Sequence, residues 1–265
     1  VCCRICRRKE DINIMNVENS IMATKQGFED SFSSREYYDK QTQDGNHLNN
    51  ILDFLPFKAN MKLLDLGTGS GYLSFPIAKK YPNSFIVGLD IVEKALEVNR
   101  FKAKEENIQN ISFITYDGVD FPFADNEFDM VISRYALHHF PDIQKSISEI
   151  SRVIKSDGFL FISDPTPNIS DTSRFVDGYM QLKKDGHIKF YTKEEWLQIC
   201  GKYGLRFKKS FDSTIRFPKK KATAYGFDEL LKKHDKEIIE SYGLKIVGNE
   251  IYITERVNNI LFYKQ

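Results

Sequence analysis

Apolar and polar positions follow a strand–helix rhythm from about residue 60 to residue 165. Short apolar runs at Lys62–Leu66, Phe85–Leu89, Ile111–Thr115, Phe128–Ser133 and Phe159–Ser163 have the length of strands. Helical periods separate several of them, at Ser70–Lys80, Val92–Glu106 and Ile143–Ile154. The last of these places Ile143, Ile147, Ile150 and Ile154 on one stripe. Pro76 falls inside the first and predicts a kink, because a proline removes a backbone donor. Upstream, residues 1–30 are polar without a sustained period and read as a poorly ordered tail. Ser34–Leu55 then carries a helical pattern anchored by Tyr37, Leu48, Ile51, Leu52 and Leu55, which Pro56 stops. Downstream the rhythm changes. Pro165–Phe190 reads as loop and short helix, and Thr192–Tyr203 as a helix opened by a Thr192/Glu195 capping box. Arg206–Phe211 and Asn259–Tyr263 read as strands, Phe227–Glu240 as a helix and Gly248-Asn249 as a tight turn. Regular βα alternation predicts an α/β fold: a doubly wound, mostly parallel sheet that binds its ligand at the C-terminal strand ends.

Composition narrows the function classes. A formal charge of +1 over 265 residues gives no general attraction to nucleic acid or an anionic membrane. The basic runs Lys219-Lys220-Lys221 and Lys232-Lys233 read as solvated faces. No apolar run reaches membrane-spanning length and no stretch reads as a secretory leader, so a cytoplasmic protein without membrane insertion is expected. Cys2, Cys3 and Cys6 crowd the start of the chain without paired ligand spacing, Cys200 stands alone, and no metal site is expected.

The chemistry concentrates in Leu63-Leu64-Asp65-Leu66-Gly67-Thr68-Gly69-Ser70-Gly71. Glycines at every second position let the chain turn sharply and let a ligand lie against bare backbone, while the following helix aims free N–H groups at it. The spacing differs from the dinucleotide fingerprint Gly-x-Gly-x-x-Gly. Asp65 would repel a pyrophosphate but can meet the ammonium of an amino acid, which favours S-adenosylmethionine over NAD. Asp90, with its neighbour Ile91, ends the second strand just under twenty residues beyond Gly71, where an acid accepts from ribose hydroxyls. Asp117-Gly118 follows the third strand, where a carboxylate can accept from the adenine amino group. Arg134-Tyr135-Ala136-Leu137-His138-His139 follows the fourth and should cross the pocket mouth, with His138 a candidate general base.

These pieces resemble the class I S-adenosylmethionine-dependent methyltransferases, in particular the type 11 group that includes the ubiquinone/menaquinone-biosynthesis enzymes. The matching stretches are LLDLGTGSGYLSFPIA, VGLD, YDGVDFPFADNEFDMVISRYALHHFPD and EISRVIKSDGFLFISD, in order over about residues 60–165. The resemblance implies a Rossmann-like sheet of seven strands with the last antiparallel, and a helical lid. It divides the chain into a tail (1–30) and one methyltransferase domain (31–265). The domain comprises a helical cap (31–60), a cofactor core (61–165) and lid insertions (166–190 and 214–255). It implies in-line methyl transfer from S-adenosylmethionine to a small-molecule acceptor, leaving S-adenosylhomocysteine, in a monomer or homodimer that does not act on nucleic acid. The implied cofactor contacts are Asp65, Gly67, Thr68, Gly69, Gly71, Asp90, Ile91, Asp117, Gly118, Ser133 and Arg134. Tyr37 and Tyr38 would close over the cofactor, Tyr179 and His187 would line the lid, and His138 and Arg134 are the catalytic candidates.

Two other readings stand beside this one. A protein that binds the cofactor and transfers nothing would carry the same binding residues. An NAD(P)-dependent dehydrogenase would use Tyr179 and Lys183, which form Tyr-x-x-x-Lys, but the glycine spacing speaks against it.

Overall fold

A computed structural model describes residues 16–29, 44–183, 185–216, 218–220 and 226–265. Helices α1 (16–29) and α2 (Gly45–Phe54) precede the sheet. The βα units follow as β1 (Lys62–Leu66), α3 (Ser74–Lys80), β2 (Phe85–Asp90), α4 (Glu93–Glu105), β3 (Ile111–Thr115), β4 (Phe128–Arg134), α5 (Ile143–Val153) and β5 (Ile154–Thr166). The remainder is α6 (Phe175–Gln181), α7 (Lys193–Lys202), β6 (Leu205–Ile215), β7 (Pro218–Lys220), α8 (Phe227–Lys233), α9 (Lys236–Ser241), β8 (Lys245–Val247), β9 (Glu250–Tyr252) and β10 (Glu255–Lys264).

Seven strands form one sheet in the order β3-β2-β1-β4-β5-β10-β6. β1 to β5 pair in parallel, and β10 runs antiparallel to both β5 and β6. The expected doubly wound sheet with an antiparallel last strand is therefore present. Strand order reverses between β1 and β4, which opens a crevice beyond their C-terminal ends. Period-two alternation buries both faces. Leu63, Met130, Ile132 and Phe161 share a core with α2, α3 and α4, while Leu64, Val131, Leu160 and Ile162 share another with α5 and α7. Each such side chain contributes roughly 1.5–3 kcal/mol on leaving water, which is why these short apolar runs hold as strands.

Beyond the sheet, α6, α8 and α9 and the small sheet β7-β9-β8 gather around a third core of Phe175, Tyr179, Phe190, Phe227, Ile239, Tyr242 and Ile251. The two-residue connection Gly248-Asn249 joins β8 to β9, with Gly248 at φ +57°.

Several expectations are corrected. Residues 16–29 are helical, not tail; Val17, Ile21, Thr24 and Phe28 fall on its less exposed side. The helix expected from Ser34 is described only as Gly45–Phe54, capped by the Asp44 carboxylate accepting from the His47 N–H, and residues 34–43 lie outside the described residues. Pro76 causes no interior break: α3 starts at Ser74, so the proline sits in the first turn, where its missing donor is not needed. β5 and β6 are longer than expected, and the helix expected over Phe227–Glu240 breaks at His234-Asp235 into α8 and α9. The capping box at Thr192 and Glu195 forms as expected.

Candidate functional site

The crevice at the switch point is a cleft of about 870 Å³. Its floor is the β1–α3 loop. Gly67, Gly69 and Gly71 all take positive φ, of 69°, 49° and 72°. A Cβ on Gly67 would lie 2.4 Å from the Ala136 Cβ, so only glycine permits the close approach of this loop to the β4 end. Gly71 serves packing instead: a Cβ there would meet the Phe75 ring at 2.6 Å, and Gly71 does not border the cleft.

Three charged side chains define the cleft. Asp65, at the end of β1, is buried; its Oδ2 accepts from the hydroxyls of Thr68 (2.8 Å) and Ser74 (2.6 Å). Burial outweighs those bonds and pushes its carboxyl up to about 6. Asp90 accepts the Gly69 N–H on Oδ2 (2.9 Å) and the Val92 N–H on Oδ1 (3.0 Å), so the β2 end and the glycine loop share one carboxylate; burial raises its pKa as well. Arg134 lies across the cleft, 9% exposed. Its guanidinium is sandwiched between the rings of Tyr72 and Tyr135, 3.8 and 3.9 Å from their centroids. Among the described residues neither Asp65 nor Arg134 has an ion-pair partner, and the Arg134 Nε has no hydrogen-bond partner. Tyr135 reaches its position through a left-handed backbone (φ 54°), a strained conformation at the rim of a site.

The cleft brings together Asp65, Gly67, Thr68, Gly69, Asp90, Ile91, Gly118 and Arg134 from the expected set. Other members point elsewhere. Asp117 is exposed, and its Oδ1 accepts from the backbone of Val119 and Asp120, leaving Gly118 to border the cleft. Ser133 alternates away from the cleft on β4 and donates to the Leu66 carbonyl (2.9 Å), tying β4 to β1. His138 is buried with its Nδ1 2.8 Å from Asp164 Oδ1, and it does not border the cleft. His139 does, with its ring edge-on to Phe28 at 5.1 Å. The two imidazoles lie against each other, 4.2 Å between centroids, with His139 on the cleft side and His138 behind it. Burial, reinforced by His138, drops His139 to about 3, so it is neutral at pH 7. Tyr37 and Tyr38 lie outside the described residues. His187 pairs with Asp177 (2.9 Å) behind the two histidines, and Tyr179 is buried in the lid core beneath the Lys219 ammonium, 4.0 Å from its ring centroid.

The cleft's cover was not foreseen. Ile21, Thr24 and Phe28 of α1 close it from above. The fit is tight: a Cβ on Gly118 would meet Ile21 at 3.0 Å, and one on Gly186 would meet Thr24 Oγ1 at 2.1 Å. The signal available was the stripe Val17, Ile21, Thr24, Phe28, weak because one member is polar and only Glu18 and Lys25 among the intervening residues are charged. Tyr72 and Tyr116 also border the cleft. Among the described residues no helix is long and apolar enough to cross a membrane.

A family model for a methyltransferase domain matches residues 57–228. The chain belongs to the class I methyltransferase family, in its type 11-like branch. It is 28% identical over 159 residues to the uncharacterized methyltransferase YcgJ of Bacillus subtilis, covering 60% of this chain and 62% of that one. It is 32% identical over 142 residues to the demethylmenaquinone methyltransferase of Listeria welshimeri, covering 51% and 60%. The chain thus spans about three-fifths of the length of these curated relatives. In fold, it matches the crystal structure of YcgJ with a TM-score of 0.68 at 21% identity, covering 83% of this chain and 98% of that one. The structure of BH2331 from Bacillus halodurans matches with a TM-score of 0.74 at 21% identity, covering 83% and 99%.

Proposed function

We propose that this methyltransferase uses S-adenosylmethionine and passes its methyl group to a small-molecule acceptor. The observation that carries the reading is the charge pattern of one cleft. A carboxylate, Asp65, and a guanidinium, Arg134, both buried and both without a counter-ion among the described residues, face a space floored by bare glycine backbone and flanked by Asp90. An amino acid in zwitterionic form joined to a nucleoside satisfies all of these. Its ammonium meets Asp65, its carboxylate meets the Arg134 donors, and its ribose hydroxyls donate to Asp90. A pyrophosphate would meet Asp65 with like charge.

When bound, the cofactor supplies an already activated methyl group on a sulfonium. The protein's own part is alignment and exclusion of water. Helix α1 covers the cleft, the Gly67 backbone sets the depth of the ligand, and Phe28, His139 and Tyr135 form the wall beside it. Arg134 has donors only, so its role is binding and not proton abstraction. His138, turned to Asp164, orders the β4–α5 turn. The Listeria relative, named for demethylmenaquinone, supports a small-molecule acceptor.

The test is to incubate the protein with S-adenosylmethionine bearing a deuterated methyl group and a panel of quinols, phenols, amines and carboxylic acids. A product heavier by one labelled methyl group is expected with at least one class. Binding of S-adenosylhomocysteine with no labelled product from any class would instead favour a protein that holds the cofactor without transferring its methyl group.

A further inference from the structure

A buried imidazole lies against the Arg134 guanidinium. Helix α2 carries His47, which is buried and lies roughly parallel to the Tyr135 ring (centroids 6.0 Å apart, 21° between planes). Arg134 Nη2 donates to His47 Nδ1 at 3.5 Å. A guanidinium has no acceptor, so Nδ1 must present its lone pair and the ring proton must sit on Nε2. That proton has an acceptor: Nε2 lies 3.1 Å from Asn259 Oδ1. The same oxygen accepts from Ser163 Oγ at 2.8 Å, and Asn259 Nδ2 donates to Ser213 Oγ at 2.9 Å. Three neighbouring strands, β5, β10 and β6, therefore hold one imidazole in one tautomer. The cap of the same helix steadies the other side of the guanidinium, because the Tyr72 hydroxyl donates to the Asp44 carbonyl at 2.7 Å.

We infer that His47 is a positioning residue for Arg134, aiming the guanidinium at the carboxylate of the cofactor's amino-acid portion. The inference rests on the cofactor reading above. Its physical basis is the choice of partner. An Asp or Glu behind Arg134 would orient it equally well but would neutralise it and compete with the ligand's carboxylate. A neutral imidazole gives direction and leaves the charge for the ligand. Burial and the Arg134 charge both disfavour the imidazolium, which keeps Nδ1 an acceptor.

Two ligands separate this role from simple packing. S-adenosylhomocysteine carries the amino-acid portion, whereas 5′-methylthioadenosine shares its nucleoside and sulfur but lacks the ammonium and carboxylate. Calorimetric affinities for both are measured on wild type, His47→Leu and His47→Asn; in the last, the amide oxygen stands near the place of Nδ1. For S-adenosylhomocysteine we expect a loss of about tenfold in His47→Leu and about threefold in His47→Asn, the scale of one charge-assisted hydrogen bond. Methylthioadenosine should change by less than about twofold in both variants, since it makes no use of that bond. Equal losses for the two ligands, or an unchanged affinity for S-adenosylhomocysteine, overturn the inference while leaving the cofactor reading in place. A wild-type protein that takes up neither ligand overturns the cofactor reading, and the inference with it.

Discussion

The floor and the cover of the cleft are built on different principles. The floor is local: Asp65, Gly67, Gly69 and Asp90 lie within two βα units, and backbone geometry makes the site. The cover and side walls are assembled from distant parts. Helix α1 meets Gly118 and Gly186, and His47 meets Asn259 across 212 residues of sequence. The floor needs only a few residue types close in sequence, whereas the cover needs packing between segments far apart in the chain.

The contrast is broken most directly at Asp90. Asp90→Ala removes the acceptor proposed for the ribose and also frees the Gly69 and Val92 N–H groups, so affinity for S-adenosylhomocysteine should fall about a hundredfold, as for two hydrogen bonds to a charged group. Calorimetry checks it, and a loss below about threefold would mean that Asp90 shapes the loop without meeting ligand. The cover should matter less. Phe28→Ala opens the cleft beside His139, and about a tenfold loss in the same titration is expected from the lost aromatic contact and burial. No change would remove α1 from the site.

Smaller effects sharpen the picture. If the proposed ammonium contact is made, it favours ionised Asp65, so binding lowers the carboxyl from the value of about 6 to which burial raises it. Affinity should therefore be flat above that pH and decline below it, by at most about tenfold per unit. A profile without a bend near 6 would separate Asp65 from the ammonium. Thr192→Ala, which breaks the capping box of α7 far from the floor, should cost about 1 kcal/mol of stability in denaturant unfolding and leave ligand affinity unchanged.

What could be read from the sequence divides along the same line. The strands, the glycine loop and Asp90 were legible because each depends on neighbours within a few residues. Ser133 and Asp117 stand at strand ends beside the cleft, but position along the chain does not give the direction of a side chain. On β4, alternation gives the cleft to Arg134 and sends Ser133 to the Leu66 carbonyl. His138 and His139 touch, and which of the two reaches the cleft is decided by the turn geometry and by Asp164 behind His138. Helix α1 is hard to see in sequence because its stripe is only partly apolar, and its place is fixed by the room that Gly118 and Gly186 leave for it. His47 could not be read at all, since its meaning comes from partners on β4 and β10.

The central claim is that the cleft takes an amino acid joined to adenosine. Titration calorimetry of the wild-type protein with S-adenosylhomocysteine and, separately, with NAD tests it. Saturable uptake of the first at one ligand per chain, with no heat from the second, is the predicted result; tight uptake of the dinucleotide with none of the homocysteine nucleoside would contradict it.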